Sequence, residues 1–505
     1  MDEQNRRQFD ETTPAPFGQE YTEPVPQPRP RRRRLSPEER RRRRRRAQIR
    51  MFTVLGCMVL VAGLLIFGVV KAVSFLFFRT DKKPAPTDPV TIETTEEVTE
   101  PTVDPATQLQ NIMAEAEALA ATYDYEAACD LLHSYGSDWQ EVDQLVEADA
   151  KYQEEQGKLV RWPDTTTIPH IFFHSLIVDT DRCFDGEYTE GGYNQYMATV
   201  GEFNAILEEL YARGFVVVRL HDIAKLTTNE EGNQVYTQGD IYLPPDKKPI
   251  VISQDDVNYY EYMVDSDDDH IADAGGDGFA TKLLVDENGR PTCEYITAQG
   301  ETVYGDYDLA PLLETFIEKH PDFSYRGARA VLALTGYQGV FGYRTHPKWI
   351  EIFGQDAFDQ ACKEASEVAE KLKEGGWEIA SHSFGHPAYG NISAESVIED
   401  IQKWEDQVQP IVGDTDLFIY PYGSDISGVE GYSGTKYETM YAAGYRFFCN
   451  VDSSDYWVQI HDDYVRQGRR NIDGYRMWYN PELLDDLFDV DKVFDPARTT
   501  PVPAI

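Results

Sequence analysis

The sequence predicts an α/β protein built on a parallel barrel, and three observations support this. Apolar runs that read as strands, at Phe172 and at residues 216–218, 250–252, 330–334, 378–380, 417–419 and 446–448, alternate with stretches of helical period at 200–213, 309–320, 358–374 and 394–412. Such alternation implies a parallel sheet with helices outside. One of these runs, Lys248-Pro249-Ile250-Val251-Ile252-Ser253-Gln254, ends directly on Asp255-Asp256. Another, Trp377-Glu378-Ile379-Ala380, leads into His382-Ser383-Phe384-Gly385-His386. Polar groups at the ends of different strands are the layout of a barrel with a site at one mouth.

The segments before the barrel differ sharply. Residues 1–50 are polar and rich in Pro and Arg, a composition too poor in apolar surface to fold alone. Residues 51–70 carry no charge; Lys71 follows, then apolar residues to 78 and Arg79. Twenty apolar residues span a bilayer, so 51–78 is expected to be a transmembrane helix. A cleaved signal peptide fits less well, because the apolar run is too long and no small-x-small cleavage site follows. The Arg block places the N-terminus in the cytoplasm and the rest of the chain outside it, at the plasma membrane. Lying beside the span, the block is read as a lipid and topology signal, not as a nucleic-acid site.

Charge supports that division. The first fifty residues hold fifteen Arg against eight acids, formally +7, whereas beyond the span 30 basic residues face 80 acidic ones, formally −50. Residues 80–107 form a Pro, Thr and Glu linker. Residues 108–160 are expected to be helical, with apolar stripes at Ile112, Ala116, Leu119, Ala120 and Tyr123 and at Ala127, Ala128, Leu131 and Leu132. This stretch resembles a single tetratricopeptide-like pair, too short for a solenoid, and is expected to serve as a stalk or to pack on the barrel. Residues 481–505 are read as a C-terminal tail.

An insertion is expected at 265–308. Its Asp267-Asp268-Asp269 run lacks the glycine and glutamate of a calcium loop and is read as a solvated acidic loop. A hairpin follows, with arms at 280–285 and 292–295 and Asn288-Gly289 in its turn, placed to shape a substrate groove. Of the six cysteines, Cys57 falls in the span and five lie outside it, so at least one of these is unpaired; none has metal-site spacing. No Gly-x-Ser-x-Gly elbow or Gly-rich phosphate loop is present.

A carboxylate and two imidazoles at strand ends suit a three-ligand zinc site with an open position, and a second carboxylate beside them supplies a base. Hydrolysis is therefore expected ahead of simple binding. Asp255-Asp256, His-Ser-x-x-His and Tyr420-Pro421-Tyr422-Gly423, in this order, resemble the NodB-type polysaccharide deacetylases, carbohydrate esterase family 4. Ile168-Pro169-His170-Ile171-Phe172-Phe173-His174 and the segment 203–218 resemble the branch acting on secreted poly-N-acetylglucosamine. The resemblance covers roughly residues 165–480.

It implies a distorted (β/α)7 barrel, with Asp256, His382 and His386 holding a divalent metal, zinc by preference. It implies Asp255 as base and a backbone amide near Tyr422 as oxyanion donor. The substrate would be an acetylated cell-surface polysaccharide of peptidoglycan or poly-N-acetylglucosamine type, losing N-acetyl groups. An O-acetyl esterase and an inactive glycan-binding wall protein are the alternatives. His174 and His461 are the two candidates for the general acid, and His174 and Tyr422 are assigned to substrate binding. Trp457, Tyr422 and Tyr389 are candidates for stacking on sugar rings. Two departures stand out: Val257 replaces the glycine after the Asp pair, and Ile419 occupies the position of an arginine that sets the base.

Overall fold

The computed structural model describes residues 104–504 apart from 187–188, 267–268 and 455. The Arg-rich tail, the expected span and all but the end of the linker lie outside the described residues. Among the described residues no helix is long and apolar enough to cross a membrane.

The linker stops earlier than its composition suggests. Asp104 caps helix α1 (Pro105–Ala121) by accepting the Thr107 amide, and proline stands at the first helical position, where no amide is needed. Helix α2 (Tyr125–His133) and helix α3 (Asp143–Gln156) follow, so the unit is a bundle of three helices, not a pair. Both stripes read from the sequence converge in it: Ala116, Ala120, Ala128 and Leu132 pack with Leu145, Ala148 and Tyr152. The bundle docks on the barrel. Tyr123 Oη donates to the Asp322 carbonyl at 2.8 Å, the Arg326 amide donates to the Thr122 carbonyl, and the Arg326 guanidinium meets Asp124 at 3.5 Å.

Eight parallel strands build the barrel: β1 (His170–Phe173), β2 (Phe215–Val217), β3 (Lys248–Gln254), β4 (Val331–Leu334), β5 (Glu378–Ser381), β6 (Leu417–Ile419), β7 (Phe447–Val451) and β8 (Val465–Asn471). Seven of them close the ring in the order β3, β4, β5, β6, β7, β8, β1 and back to β3. Strand β2 is the distortion. It pairs with β3 only over Lys248–Ile250, while β4 takes the same edge of β3 further up, at Ser253 and Gln254. The ring strand that the sequence did not betray is β8. It reads Val-Arg-Gln-Gly-Arg-Arg-Asn and lacks the apolar pattern of its neighbours.

The interior explains that composition. Side chains alternate across the sheet. On β3, Ile250 and Ile252 face outward into the main core beneath helices α4 (Val200–Ala212), α5 (Leu309–Lys319) and α6 (Gln355–Glu374). Val251 faces inward, with Val331, Ala333, Ala380, Ile419, Cys449 and Val465. Toward the C-terminal ends of the strands this apolar filling gives way to a polar ladder. His170 bonds Gln467 at 3.0 Å and Ser253 at 2.9 Å, and Arg469 reaches Ser253 and Asp255.

Helix α7 (Ala394–Gln407) ends earlier than its period suggested, followed by a separate turn at Gln409–Val412. The insertion forms its hairpin, Lys282–Val285 against Pro291–Ile296, with a third strand Thr302–Gly305. It turns Leu283 and Cys293 into the main core, so much of it is structural filling. All five cysteines of the described residues are free. The barrel domain does not end at 480. Arg498 is fully buried and pairs with Glu202 at 2.6 Å while also bonding Asn194, so the C-terminal segment is built in, not appended.

Candidate metal centre and active site

Asp255 and Asp256 follow β3, His382 and His386 follow β5, Tyr422 follows β6 and His174 follows β1. All therefore stand at one rim of the barrel. One ligand atom from each of Asp256, His382 and His386 falls within 4.8 Å of the others. The two imidazole Nε2 atoms are 3.1 Å apart, and Asp256 Oδ2 lies 3.8 Å from His386 Nε2.

Hydrogen bonds fix which atoms face the centre. His382 Nδ1 lies 2.8 Å from the Ile419 carbonyl. A carbonyl can only accept, so Nδ1 carries the proton and Nε2 presents a lone pair. Burial and the neighbouring His382 ring hold His386 down at about 4 against the pull of Asp256, which leaves it neutral. Burial would raise Asp256, but His386, His382, His174 and a hydrogen bond from Tyr260 lower it below the usual carboxylate range. Two imidazole nitrogens and one carboxylate oxygen converging at this rim form a donor set that fits zinc.

Asp255 is held differently. Arg469 Nη1 and Nη2 donate to its two oxygens at 2.7 and 2.8 Å, with the Arg fully buried. Burial pushes this carboxyl up, but the guanidinium outweighs it and holds the group well below the usual range. Asp255 Oδ2 is 4.0 Å from His382 Nε2, so this oxygen borders the centre. Arg469 comes from a strand the sequence did not reveal.

The loops are braced with care. Asp400 on α7 accepts the amides of Phe384 and Gly385, both at 2.8 Å, and the Ser383 hydroxyl accepts the His386 amide. Asp256, His386 and Tyr422 all have left-handed backbones, with φ of 58°, 57° and 57°. Such conformations are strained in non-glycine residues and concentrate at functional sites. In the next turn Gly423 has φ 63°, and a Cβ there would sit 2.6 Å from Val451. Val257, which replaces a glycine, is buried; the turn is made by Asp256 itself and secured by Asn258, whose side chain bonds Thr335 and Gly339.

Of the other residues singled out, His174 joins the site and His461 does not. His174 Nδ1 donates to the Tyr196 carbonyl at 3.0 Å, which turns Nε2 away from that bond, and the ring stands beside Asp255, Asp256 and His386. His461 stacks on Tyr464 in the turn before β8, at the opposite end of that strand from Arg469. Tyr422 is open, 38 % exposed, and packs edge-on to His386. Tyr389 is fully buried and bonds Asp400, so it is closed to a sugar; Trp457 is half-buried, donates to Asp452 and lies over Gly468. A second cluster, Glu261, Asp265 and His270, also brings its ligand atoms together, but His270 and Lys348 already pair with Glu261.

Sequence reasoning missed Arg469, Asp400 and Tyr260. No spacing ties them to the motifs; the only trace was an unexplained run of arginines in 466–470.

A closed parallel barrel with carboxylates and imidazoles at its C-terminal rim defines the chain as a barrel protein with an enzyme-like mouth. Residues 352–448 match the family model described as polysaccharide deacetylase. The match takes in both histidines and Tyr422 and stops short of the Asp pair, which the fold supplies. No curated protein matches the chain. Among solved structures, the chain is similar to the Streptococcus pyogenes deacetylase PplD in complex with acetate, at 12 % identity and a TM-score of 0.34, covering 65 % of this chain and 99 % of that one.

Proposed function

We propose that this protein is a divalent-metal-dependent hydrolase that removes N-acetyl groups from a cell-surface polysaccharide of peptidoglycan or poly-N-acetylglucosamine type. The observation that carries the reading is the convergence of Asp256, His382 and His386 beside the ionised Asp255, partly within a segment that matches the polysaccharide deacetylase model. A bound divalent cation, zinc being the best match to this donor set, would supply Lewis-acid polarisation of the acetyl carbonyl and acidify water.

The residues divide the remaining work. Asp255, kept as a carboxylate by Arg469, takes a proton from the attacking water as the new carbon–oxygen bond forms. The Tyr422 amide is the oxyanion donor. His174 serves as the acid in its doubly protonated form: it gives the Nε2 proton to the sugar nitrogen as the carbon–nitrogen bond breaks, leaving acetate, a free amine and a neutral ring that keeps its Nδ1 proton on the Tyr196 carbonyl. The exposed rings of Tyr262 and Tyr422 offer faces to a pyranose.

Acetate release by the purified protein from peptidoglycan, chitooligosaccharide and acetylated xylan, with and without chelator, tests this. Release from the first two that stops with chelator is expected; release from xylan alone would favour ester hydrolysis, and binding without release would mark a wall-binding protein. The uncharged run 51–70 behind the Arg block would anchor the protein in the plasma membrane with the barrel outside. Protease added to intact cells should then remove the region beyond Arg79 and spare the N-terminal tail; survival of the barrel would overturn this topology.

A further inference from the structure

The loop that carries Asp256 forms a closed circuit of hydrogen bonds. Tyr260 Oη donates to Asp256 Oδ1 at 2.6 Å. A phenol has a single proton to give, so its second contact, with Thr335 Oγ1 at 2.6 Å, is one in which it accepts. Thr335 is in turn held through its backbone: its amide donates to Asn258 Oδ1 at 3.0 Å, and its carbonyl accepts from Asn258 Nδ2 at 2.7 Å. Asn258 is two residues beyond Asp256, so the chain returns to its starting point. Tyr260, Thr335 and Asn258 are all buried. The Tyr260 ring is itself fixed, lying nearly parallel to Tyr262 and Tyr337 at interplanar angles of 15° and 16°.

We infer that Tyr260 is a positioning residue for metal binding, which ties up Oδ1 of Asp256 so that this carboxylate offers one oxygen, Oδ2, toward His382 and His386. The inference rests on the metal reading of the centre. Its physical basis is the side chain of Asp256. The terminal torsion of an aspartate is broad, and a carboxylate free to rotate could chelate with both oxygens or turn away. The hydroxyl of Tyr260 removes that freedom before any ion arrives. Outer hydrogen-bond partners of this kind are worth about ten- to a hundredfold in metal affinity. The circuit also accounts for the tolerated Val257: the turn is held by side-chain bonds in place of glycine's conformational freedom.

Zn2+ affinity of the full-length protein, measured by competition with a chromophoric chelator, tests the inference. Tyr260→Phe keeps the ring stack and deletes the one hydroxyl, and it is expected to raise the Zn2+ dissociation constant about ten- to a hundredfold. The visible spectrum of the Co2+ form should change with it, because Asp256 ligation changes. Tyr262→Phe, which removes a hydroxyl from the same stack without touching Asp256, should leave both unchanged. Thr335→Val, nearly isosteric, should weaken Zn2+ in the same direction by a smaller factor, and it serves if Tyr260→Phe fails to fold. Wild-type Zn2+ affinity and Co2+ spectrum in Tyr260→Phe, or equal losses in Tyr262→Phe, would overturn the inference alone. A wild-type protein that binds no Zn2+ would overturn the metal reading beneath it as well.

Discussion

Arg469 and Asp255, 214 residues apart in the chain, meet as a two-pronged ion pair inside the barrel, with both Asp255 oxygens bonded to the guanidinium. Both charges are withdrawn from bulk solvent, so each depends largely on the other for solvation.

The pair predicts two different failures. Asp255→Asn deletes the base while keeping size and some hydrogen bonding, and should lower deacetylation by about 10²–10⁴ with Zn2+ binding retained. Arg469→Ala leaves a buried carboxylate alone and should cost about 3–5 kcal/mol of stability, read from urea unfolding. Equal acetate release by wild type and Asp255→Asn would remove Asp255 from the mechanism.

Two of the three proposed ligands sit on one short loop. Replacing both, in His382→Ala/His386→Ala, leaves a lone carboxylate and is expected to abolish tight Zn2+ binding. Elemental analysis after dialysis should find about one ion per wild-type chain and none in the double variant. Stoichiometric zinc in the variant would move the site elsewhere.

Asp400 acts on that loop from behind. Asp400→Ala would strand the Phe384 and Gly385 amides and the Tyr389 hydroxyl. Each stranded buried group costs about 1–3 kcal/mol. The variant should melt earlier and bind Zn2+ more weakly although Asp400 touches no ligand side chain. A melting temperature and affinity equal to wild type would show that the loop holds its shape unaided.

A pH effect should come from the far end of the barrel. His221 bonds Glu378 at the start of β5 and Asp416 just before β6. Burial opposes its charge, but the hydrogen bonds and charges of Asp416 and Glu378 outweigh it and raise the group to about 10. The folded value lies above the unfolded one of about 6.5, so this stabilisation is complete below about pH 6.5 and fades as pH climbs through about 10. The side chain is 44 % exposed, so solvent screening keeps the effect modest. Urea midpoints from pH 6 to 10.5 should fall more steeply in wild type than in His221→Gln; parallel curves would mean the pair contributes nothing.

What the sequence disclosed follows a physical pattern. Strands with apolar inward and outward faces, such as β3 and β4, were legible, as were the helices with one apolar stripe. Strand β2 was legible as a strand but not as an outlier of the ring, because its register against β3 is a tertiary matter. Strand β8 was hidden because Gln467 and Arg469 spend its inward face on polar partners, and Arg466 and Arg470 bond acids outside. At the site, the side chains read from motifs do converge at one rim. Their supports, Arg469, Asp400 and Tyr260, were invisible, since a buried polar partner is chosen by proximity in space and leaves no period in the chain.

The polar character of β8 bears on how the ring is assembled. This strand pairs with β7 on one side and with β1 on the other, where Arg470 lies opposite Ile171, so the last strand of the ring must find the first. Collapse of apolar surface gives it little reason to enter, and its charges are welcome inside only once Asp255 and Gln467's partner His170 are already in place. Ring closure joins strands of large sequence separation, the slow kind of step in folding. A chain cut before Val465 would keep most of its core yet leave β1 and β7 as two bare edges, an invitation to strand exchange between molecules.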